Sequence, residues 1–502
     1  MDRKTFIRIA GLGSVPLLFN GCLADLTKSN YSIKIDSNRL SGHMSREKLA
    51  TYPKSKETYD TIIIGAGVSG IAAYSKLNKE NTALFDLNGY VGGTAGGGNF
   101  NSARFARGAH YDIIYPSNYG KSTLDFLVAS NIIVFDEFNK QYHYKDSEFL
   151  INPENESTCL RFGARVDDPI AGMSELPMFE RLLRPFKNEM VMPTTNIDVR
   201  FDYLNEITFR SWLEKQSQFS AEFYKALDYQ MRDDWGAPCS EISALSGIHY
   251  YMCRDYNKEL ELISPPEGNQ YFVQKMLANT NYSNIQLNHL CHSIQKEGAF
   301  FKAQIVDLLN KSIKEVTCNK VIYAGNKHAL KYIYPQADRQ EMIPDYSAWV
   351  SINIVVEKLK DRNGFWQNDM ITEDETFLGF SDSRAQFDFV DEFDVFTAYY
   401  CFDSKDRSLL EDIEENPKKC IKKTLDYVEK SLGHQIRSKI KMVNVNLLGH
   451  AMPVPKPGYL KQDWNTGRPL KNFTYAGCDT GKLPLFFEAV TSGLEAVESL
   501  RI

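Results

Sequence analysis

The stretch DTIIIGAGVSG at residues 60–70 decides the fold of this chain. Its consecutive isoleucines predict a short buried strand, and the glycines that follow have the G-x-G-x-x-G spacing of a dinucleotide-binding turn. Apolar residues at helical spacing come next, and TALFD at residues 82–86 predicts a second strand that ends in an acid. This order of strand, glycine turn, helix, strand and acid predicts a Rossmann-like βαβ unit.

The glycines of this turn have different mechanical roles. Gly65 allows a tight turn, Gly67 allows backbone amides to approach a diphosphate, and Gly70 allows the helix to pack closely against the strand. The helix N-terminus adds the positive end of its dipole, which favours a phosphate group. The acid at the end of the second strand lies where a carboxylate accepts hydrogen bonds from adenosine ribose hydroxyls. The predicted cofactor-binding residues of this unit are Gly65, Ala66, Gly67, Ser69, Gly70 and Asp86.

The composition is that of a globular protein and excludes some classes of function. The chain has 502 residues, 43% of them hydrophobic and 24% charged, so it is long enough for two domains with full cores. A net charge of -6 and a sequence pI near 5.9 indicate no basic surface for nucleic acid. The nine cysteines form no C-x-x-C pair, and no His or carboxylate spacing indicates a metal site. We therefore expect neither a nucleic-acid partner nor a bound metal.

The residues after the acid indicate which dinucleotide is bound. NGYVGGTA at residues 88–95 resembles the second flavin fingerprint of the amine oxidase superfamily, which includes monoamine and polyamine oxidases, protoporphyrinogen oxidases and phytoene desaturases. In that family the backbone of the Gly-Gly loop lies against FAD. The resemblance therefore implies that FAD is the cofactor and that Gly92, Gly93 and Thr94 contact it.

Two later strands resemble other FAD-binding parts of the same family. Residues 284–294 resemble the strand whose backbone pairs with the adenine edge, with Cys291 at the position where valine is usual. NFTYAGCD at residues 472–479 resembles the strand end whose acid lies near the ribityl-phosphate. The resemblance thus adds Cys291, Gly477 and Asp479 to the expected cofactor site.

A C-terminal helix completes the expected site. The resemblance places the first amides of this helix, including those of Ala489 and Val490, toward the flavin pyrimidine, where negative charge builds on reduction. Glu488 stands where the family usually has glycine. The local geometry at this helix start is therefore expected to differ from that of the family.

The fold class implied by the resemblance is α/β, with a Rossmann-like FAD-binding domain of the amine oxidase type and an inserted α+β substrate domain. The expected FAD-binding segments are residues 58–125, 236–330 and 446–502. The expected substrate-domain segments are residues 126–235 and 331–445.

Two residues are candidates for catalysis. Many members of the family have a lysine that holds water near flavin N5; Lys331 falls close to that place, and Lys327 is nearby. An exposed helix lysine is the alternative interpretation. His450 lies in a loop rich in proline and glycine that resembles one bordering the substrate cavity, and a structural hydrogen-bonding role is its alternative.

The first residues have the pattern of an export signal. Residues 1–22 combine a charged start with a short apolar run, and LLFNGC resembles a bacterial lipobox with Cys22 as the acylated residue. RKTFIR at residues 3–8 resembles a twin-arginine signal with lysine for the second arginine. Residues 23–57 are expected to be a flexible tether. We expect a lipoprotein of the bacterial cell envelope, facing the periplasm or the surface; an uncleaved signal or a cytosolic N-terminus is the alternative.

The resemblance implies an FAD-dependent oxidoreductase that transfers a hydride from a small organic substrate, first of all an amine, to flavin, with oxygen or a quinone as electron acceptor. A desaturase that acts on a large apolar molecule is the second hypothesis, and a flavin-binding lipoprotein without turnover is the third. An aromatic cavity with an acid near its mouth favours an amine. A long dry cavity favours a desaturase.

Overall fold

The computed structural model describes residues 31–109, 112–114, 119–253, 261–278, 280, 282–360, 364–385, 392–465 and 470–500. In chain order the strands are β1 (Ser32–Ser37), β2 (Lys54–Ile64), β3 (Thr82–Phe85), β4 (Gly97–Phe100), β5 (Ala103–Ala106), β6 (Asp112–Ile114), β7 (Ile133–Asp136), β8 (Gln141–Tyr144), β9 (Ser157–Arg161), β10 (Ala164–Val166), β11 (Glu261–Ile263), β12 (Ile285–Gln286), β13 (His289–Glu297), β14 (Phe300–Asp307), β15 (Ser312–Tyr323), β16 (Tyr346–Glu357), β17 (Gln367–Ile371), β18 (Phe377–Asp382), β19 (Phe393–Phe402), β20 (Ile440–Pro453) and β21 (Phe473–Tyr475). The α-helices are Arg39–His43, Val68–Lys76, Lys121–Ala129, Leu176–Leu183, Phe209–Gln216, Ala221–Trp235, Ala244–Met252, Gln270–Leu277, Leu330–Ile333, Leu409–Glu415, Pro417–Leu432 and Phe486–Ser499.

The first sheet carries the predicted βαβ unit. Its strand order is β12-β3-β2-β15-β14-β13, and β21 also pairs with β15. The strands β12, β3, β2, β15 and β21 run parallel, whereas β13, β14 and β15 form an antiparallel meander. Ile62 and Ile63 are fully buried at the centre of the parallel part, as a strand covered on both faces requires. The predicted Rossmann-like domain is confirmed.

Two helices pack against each other over this sheet. The helix Val68–Lys76, which follows the glycine turn, contacts the C-terminal helix Phe486–Ser499. The two helices can approach this closely because residue 493 is glycine: a Cβ at Gly493 would lie 2.2 Å from the carbonyl oxygen of Ser69. The start of the C-terminal helix is thereby held beside the glycine turn.

The second sheet forms the floor of the other domain. Its strand order is β1-β20-β16-β19-β18-β17-β9-β10, with antiparallel pairing at its centre. The helix Pro417–Leu432 covers one part of it through a core that includes Val428 and Val445. The helices between residues 176 and 252 pack on another part. The predicted α+β substrate domain is therefore present.

The boundary predicted at residue 126 falls inside a helix. Lys121–Ala129 contains that residue, and its Leu127 packs with Val68 of the FAD-binding domain. The boundary predicted at residue 236 is also displaced. Leu245, beyond it, packs with Phe209 in the helical cluster of the substrate domain. Local composition did not reveal either packing partner.

The later boundaries differ for the same reason. Leu330 and Ile333 pack with Phe301 of the first sheet, so the FAD-binding domain continues past residue 330. The boundary predicted at residue 446 lies within β20, a strand of the second sheet.

The described part of the predicted tether is folded, so that prediction is wrong from residue 31 onward. Residues Ser32–Ser37 form β1, which pairs in parallel with β20. β2 begins at Lys54, before the predicted domain start. Local pattern indicates this strand only weakly, because β1 is an edge strand with few large apolar residues.

The predicted signal peptide at residues 1–22 and the lipidation residue Cys22 lie outside the described residues. Within the described ranges, no helix is long and apolar enough to cross a membrane.

Candidate active site

The first glycine turn contains two tight positions. Gly65 has a φ of +108°, and a Cβ on it would lie 2.8 Å from the backbone of Ala324. A Cβ on Gly70 would lie 1.9 Å from the carbonyl oxygen of Gly65. Both residues therefore must be glycine for the helix, the turn and the end of β15 to pack together.

Gly67 differs from them because it faces open space. It caps the N-terminus of the helix Val68–Lys76, and a Cβ on it would meet nothing within 4 Å. The Gly-Gly loop closes over this place: a Cβ on Gly93 would lie 3.2 Å from the Cα of Gly67. The two loops thus border a gap at a helix N-terminus, which is the arrangement that binds a phosphate group.

Asp86 directly follows β3 and is buried behind the turn. Its Oδ2 accepts a hydrogen bond from the Ala66 amide at 2.5 Å, and its Oδ1 accepts one from the Asn88 amide at 2.7 Å. Burial raises the pKa of Asp86 to about 6, although both amides oppose that rise. The carboxyl group therefore supports the turn and still borders the cavity, where it can accept a ribose hydroxyl.

A cavity of about 840 Å³ lies between the two domains and is lined by residues of both. Most of the sequence-predicted site residues line it, namely Gly65, Gly67, Ser69, Asp86, Gly92, Gly93, Thr94, Cys291, His450, Gly477, Asp479 and Ala489. Ala66, Gly70 and Val490 are buried and do not line it. Glu488 turns away from the cavity and accepts a hydrogen bond from the Thr194 amide at 2.7 Å.

Lys331 does not reach this cavity. It is exposed on the helix Leu330–Ile333, with its Nζ 5.1 Å from the ring centroid of Tyr332. This placement argues against the predicted catalytic role and matches the alternative of an exposed helix lysine.

Lys327, the neighbouring lysine, lies close to the site instead. It is fully buried, and its Nζ lies 2.8 Å from Oδ1 of Asp479. Oδ2 of Asp479 accepts hydrogen bonds from the Lys327 amide at 3.0 Å and from the Tyr346 hydroxyl at 2.7 Å. The predicted acid is therefore present at the cavity wall, already held by an ion pair.

His450 lines the cavity as part of a stacked imidazole pair. Its ring lies 3.7 Å from that of His328, with 14° between the planes. Burial lowers the pKa of His450 to about 2 and that of His328 to about 4. Both rings are therefore neutral at physiological pH, and His450 is packed rather than poised as an acid.

The substrate domain contributes carboxylates that the sequence did not group together. Asp233 and Asp234 end the helix Ala221–Trp235, Asp369 lies on β17, and all of them line the cavity. Oδ1 of Asp369 accepts hydrogen bonds from the Tyr229 hydroxyl and from Gln367 Nε2, each at 2.8 Å. Burial raises the pKa of Asp369 to about 7. This part of the cavity is acidic.

Aromatic side chains surround the same acidic region. Trp349 and Tyr399 meet edge to face with centroids 6.3 Å apart, and Trp235 and Tyr250 do so at 6.2 Å. All of them line the cavity. Aromatic faces beside carboxylates suit a cationic or neutral amine. Within the described residues, no group of His, Cys, Asp and Glu is arranged to hold a metal ion.

Comparisons with known proteins agree with this geometry. A model of the NAD(P)-binding Rossmann-like domain matches residues 63–127, and a model of the flavin containing amine oxidoreductase family matches residues 128–500. No curated protein matches the chain by sequence.

Several solved structures share the fold. Putrescine oxidase bound to putrescine has a TM-score of 0.64 at 15% identity, over 89% of this chain and 100% of that chain. Cyclohexylamine oxidase from Brevibacterium oxydans IH-35A has a TM-score of 0.59 at 13% identity, over 88% and 98%. A protein from Exiguobacterium sp. 255-15, provisionally described as a protoporphyrinogen oxidase, has a TM-score of 0.59 at 12% identity, over 90% and 99%. Identities this low establish the fold alone.

The residues of the cavity fit FAD. The open space at Gly67 lies where a diphosphate meets a helix N-terminus, Asp86 borders the place of the ribose, and Asp479 and Ala489 border the flavin side. The sequence model of the flavin containing amine oxidoreductase family matches residues 128–500, which are most of the chain, and this match establishes the family. The chain therefore belongs to the flavin-containing amine oxidoreductase family and is an FAD-dependent oxidoreductase.

Proposed function

We propose that this protein oxidises an amine, with a hydride passing from the carbon next to nitrogen to the bound flavin. The observation that carries the proposal is the position of Asp233, Asp234 and Asp369, which line the same cavity as the FAD-binding loops. Carboxylates in a partly desolvated cavity attract a cation strongly because the local dielectric is low. A large apolar substrate would gain nothing from them.

Asp369 is suited to manage the charge of the substrate. Hydride transfer needs a neutral amine, whereas an amine in solution is protonated. Oδ1 of Asp369 is occupied by Tyr229 and Gln367, and Oδ2 takes part in neither bond. With its pKa raised to about 7, this carboxyl group can accept a proton at Oδ2 from a bound ammonium and release it again near neutral pH.

The aromatic residues position the substrate beside that group. Trp349, Tyr399 and Tyr250 present ring faces and edges that bind alkyl chains and cations while excluding water. Bound FAD would take the hydride as a two-electron acceptor. The resulting imine then reacts with water to give a carbonyl compound and ammonia or a smaller amine, so one oxidation yields one reduced flavin.

The cellular setting belongs to the same proposal. The lipobox ending in Cys22 supports export and a lipid anchor at the bacterial cell envelope, facing the periplasm or the surface. Oxygen or a quinone then reoxidises the flavin. Oxygen consumption and the reduction of a soluble quinone, measured with the same substrate, distinguish the two acceptors.

Product analysis over a chemical panel tests the proposal. Purified protein is incubated with monoamines, diamines and polyamines, and in parallel with reduced tetrapyrroles and polyenes. An aldehyde together with ammonia or a shortened amine supports amine oxidation. A product with a new C–C double bond from the apolar compounds alone would identify a desaturase, and no product from any class would favour a flavin-binding lipoprotein without turnover.

A further inference from the structure

We propose that Lys327 is a positioning residue for FAD, which neutralises Asp479 and holds two cofactor-binding turns in place. Its ammonium group has three N–H donors, and each has an acceptor: Oδ1 of Asp479 at 2.8 Å, the carbonyl of Ala476 at 2.7 Å and the carbonyl of Gly325 at 3.1 Å. The side chain is fully buried. Such complete pairing is what allows an ammonium group to be buried at all.

The acceptors belong to two neighbouring strand ends. β15 and β21 are parallel, with Tyr323 opposite Tyr475 in the last pair of their ladder. The chain leaves β15 through Ala324 and Gly325 and leaves β21 through Gly477, all of which line the cavity. Ligands of parallel sheets bind at the carboxyl ends of the strands. Lys327 therefore joins the two turns at the edge of the sheet that meets the cofactor.

The ion pair also reduces the electrostatic repulsion between the Asp479 carboxylate and FAD. FAD carries a negatively charged diphosphate, and Asp479 lines the cavity that would hold FAD, so an uncompensated carboxylate would repel the cofactor. Lys327 does not line the cavity, and its charge reaches FAD through Asp479 and the turn. Because its donors are occupied, it is also not a lysine that can hold water near flavin N5. Its role is to position and to neutralise.

A double-mutant cycle on the full chain tests the proposal, with FAD affinity as the readout. Apoprotein of the wild type, Lys327→Met, Asp479→Asn and the double variant is titrated with FAD, and flavin fluorescence gives each dissociation constant. We expect Lys327→Met to weaken FAD binding about 10- to 100-fold, because it leaves a buried unpaired carboxylate. We expect the double variant to bind FAD at least about fivefold more tightly than Lys327→Met, because it removes that charge.

If Lys327 only connected the two turns and did not neutralise Asp479, the double-mutant cycle would give a different result. The double variant would then bind FAD no better than Lys327→Met, and this result, or wild-type affinity in Lys327→Met, would overturn the proposal. If Lys327→Met does not fold, Asp479→Asn decides alone: a loss of affinity above about tenfold would contradict neutralisation, since this variant keeps the size of the side chain and removes the repelling charge.

Lys320→Met is the matched control, because Lys320 lies on β15, the strand that precedes Lys327, but is partly exposed, with its Nζ 3.8 Å from Oδ2 of Asp60. It should leave FAD affinity unchanged. The measurement needs no turnover. Failure of every amine as substrate would therefore leave it intact, and its own failure would leave amine oxidation intact.

Discussion

Gly67 and Gly92 form an isolated parallel β-bridge that joins the two flavin fingerprints. Beside it, the Gly92 amide donates a hydrogen bond to the carbonyl of Ala66 at 2.7 Å. The two fingerprints, which are separate in sequence, thus form one surface around the helix N-terminus. The open side of Gly67 is where that surface would accept the diphosphate.

Gly67→Val should abolish FAD binding without unfolding the protein. Gly67 has a φ of -67°, which any residue adopts, and a Cβ there meets no protein atom. The added side chain would occupy cofactor space only. We expect the purified variant to be colourless, with a melting temperature close to that of wild-type apoprotein. A yellow variant at full FAD occupancy would show that the diphosphate lies elsewhere.

Gly70→Ala is the contrasting control for that experiment. Its new methyl group would lie 1.9 Å from the carbonyl oxygen of Gly65, so the turn and the helix must move apart. We expect low soluble yield or a lower melting temperature in addition to lost FAD. Comparing the two variants distinguishes a loss of space for the cofactor from a loss of packing within the protein.

Asp369→Asn should weaken amine turnover while it stabilises the fold. Asparagine can still accept the hydrogen bonds of Tyr229 and Gln367 but carries no charge to pair with an ammonium. We expect kcat/KM for a cationic amine to fall about 10- to 100-fold. Asp426→Asn, a surface change at a residue paired with Arg437, is the control and should leave kcat/KM unchanged. Equal kcat/KM for Asp369→Asn and the wild type would remove Asp369 from substrate binding.

The stabilising effect of Asp369→Asn should depend on pH. Burial raises the pKa of Asp369 from 3.8 to about 7. Between those values the unfolded chain has lost a proton that the native protein retains, so native stability falls as the pH rises through this window. Asp369→Asn has no carboxyl group at this position, so its stability does not fall for this reason as the pH rises. Its melting temperature should therefore exceed that of the wild type at pH 8 and approach it near pH 4; the opposite trend would mean that the native carboxyl group is not held protonated.

The stacked histidines should make the protein sensitive to acid. Burial lowers the pKa of His328 to about 4 and that of His450 to about 2, from 6.5 in the unfolded chain. Below pH 6.5 the unfolded chain gains protons that the native rings do not, so stability falls with the pH. His450→Phe can keep the ring contact without titrating. It should lose less melting temperature between pH 7.5 and pH 5 than the wild type or a His434→Phe control, and an equal loss would contradict the neutral assignment.

The N-terminal strap, defined as residues 31–46, should slow the release of FAD. Asp36 of β1 forms an ion pair with Arg107, whose guanidinium lies 4.7 Å from the ring centroid of Tyr90 in the second fingerprint. Asn38 donates a hydrogen bond to Asn88 at 3.2 Å. A chain that begins at residue 48 should release FAD at least about tenfold faster than one that begins at residue 31. Equal rates would show that the strap does not enclose the cofactor.

Local patterns were enough to predict the cofactor half of the site. The glycine turn, the Gly-Gly loop and the strand end at Asp479 each depend on a few adjacent residues, because backbone geometry there is set by glycine and by strand ends. The fold class followed from the same segments. Their arrangement around one cavity needed no knowledge of distant contacts.

The substrate half required contacts that no local pattern encodes. Asp369 meets Tyr229 across 140 positions of sequence, and His450, on β20, stacks on His328, which follows β15. Lys327 and Lys331 are four residues apart, yet Lys327 is buried and Lys331 is exposed. Spacing alone could not distinguish them, because tertiary packing decides which lysine finds acceptors.

Anaerobic mixing of the yellow holoprotein with an amine series, followed by flavin absorbance near 450 nm, tests the central claim most directly. Monoamines, diamines and polyamines are each compared with the neutral alcohol of the same chain length. The expected result is full bleaching by at least one amine within a single turnover, and no bleaching by its alcohol. A flavin that no amine bleaches but that an apolar polyene or a reduced tetrapyrrole does would contradict amine oxidation.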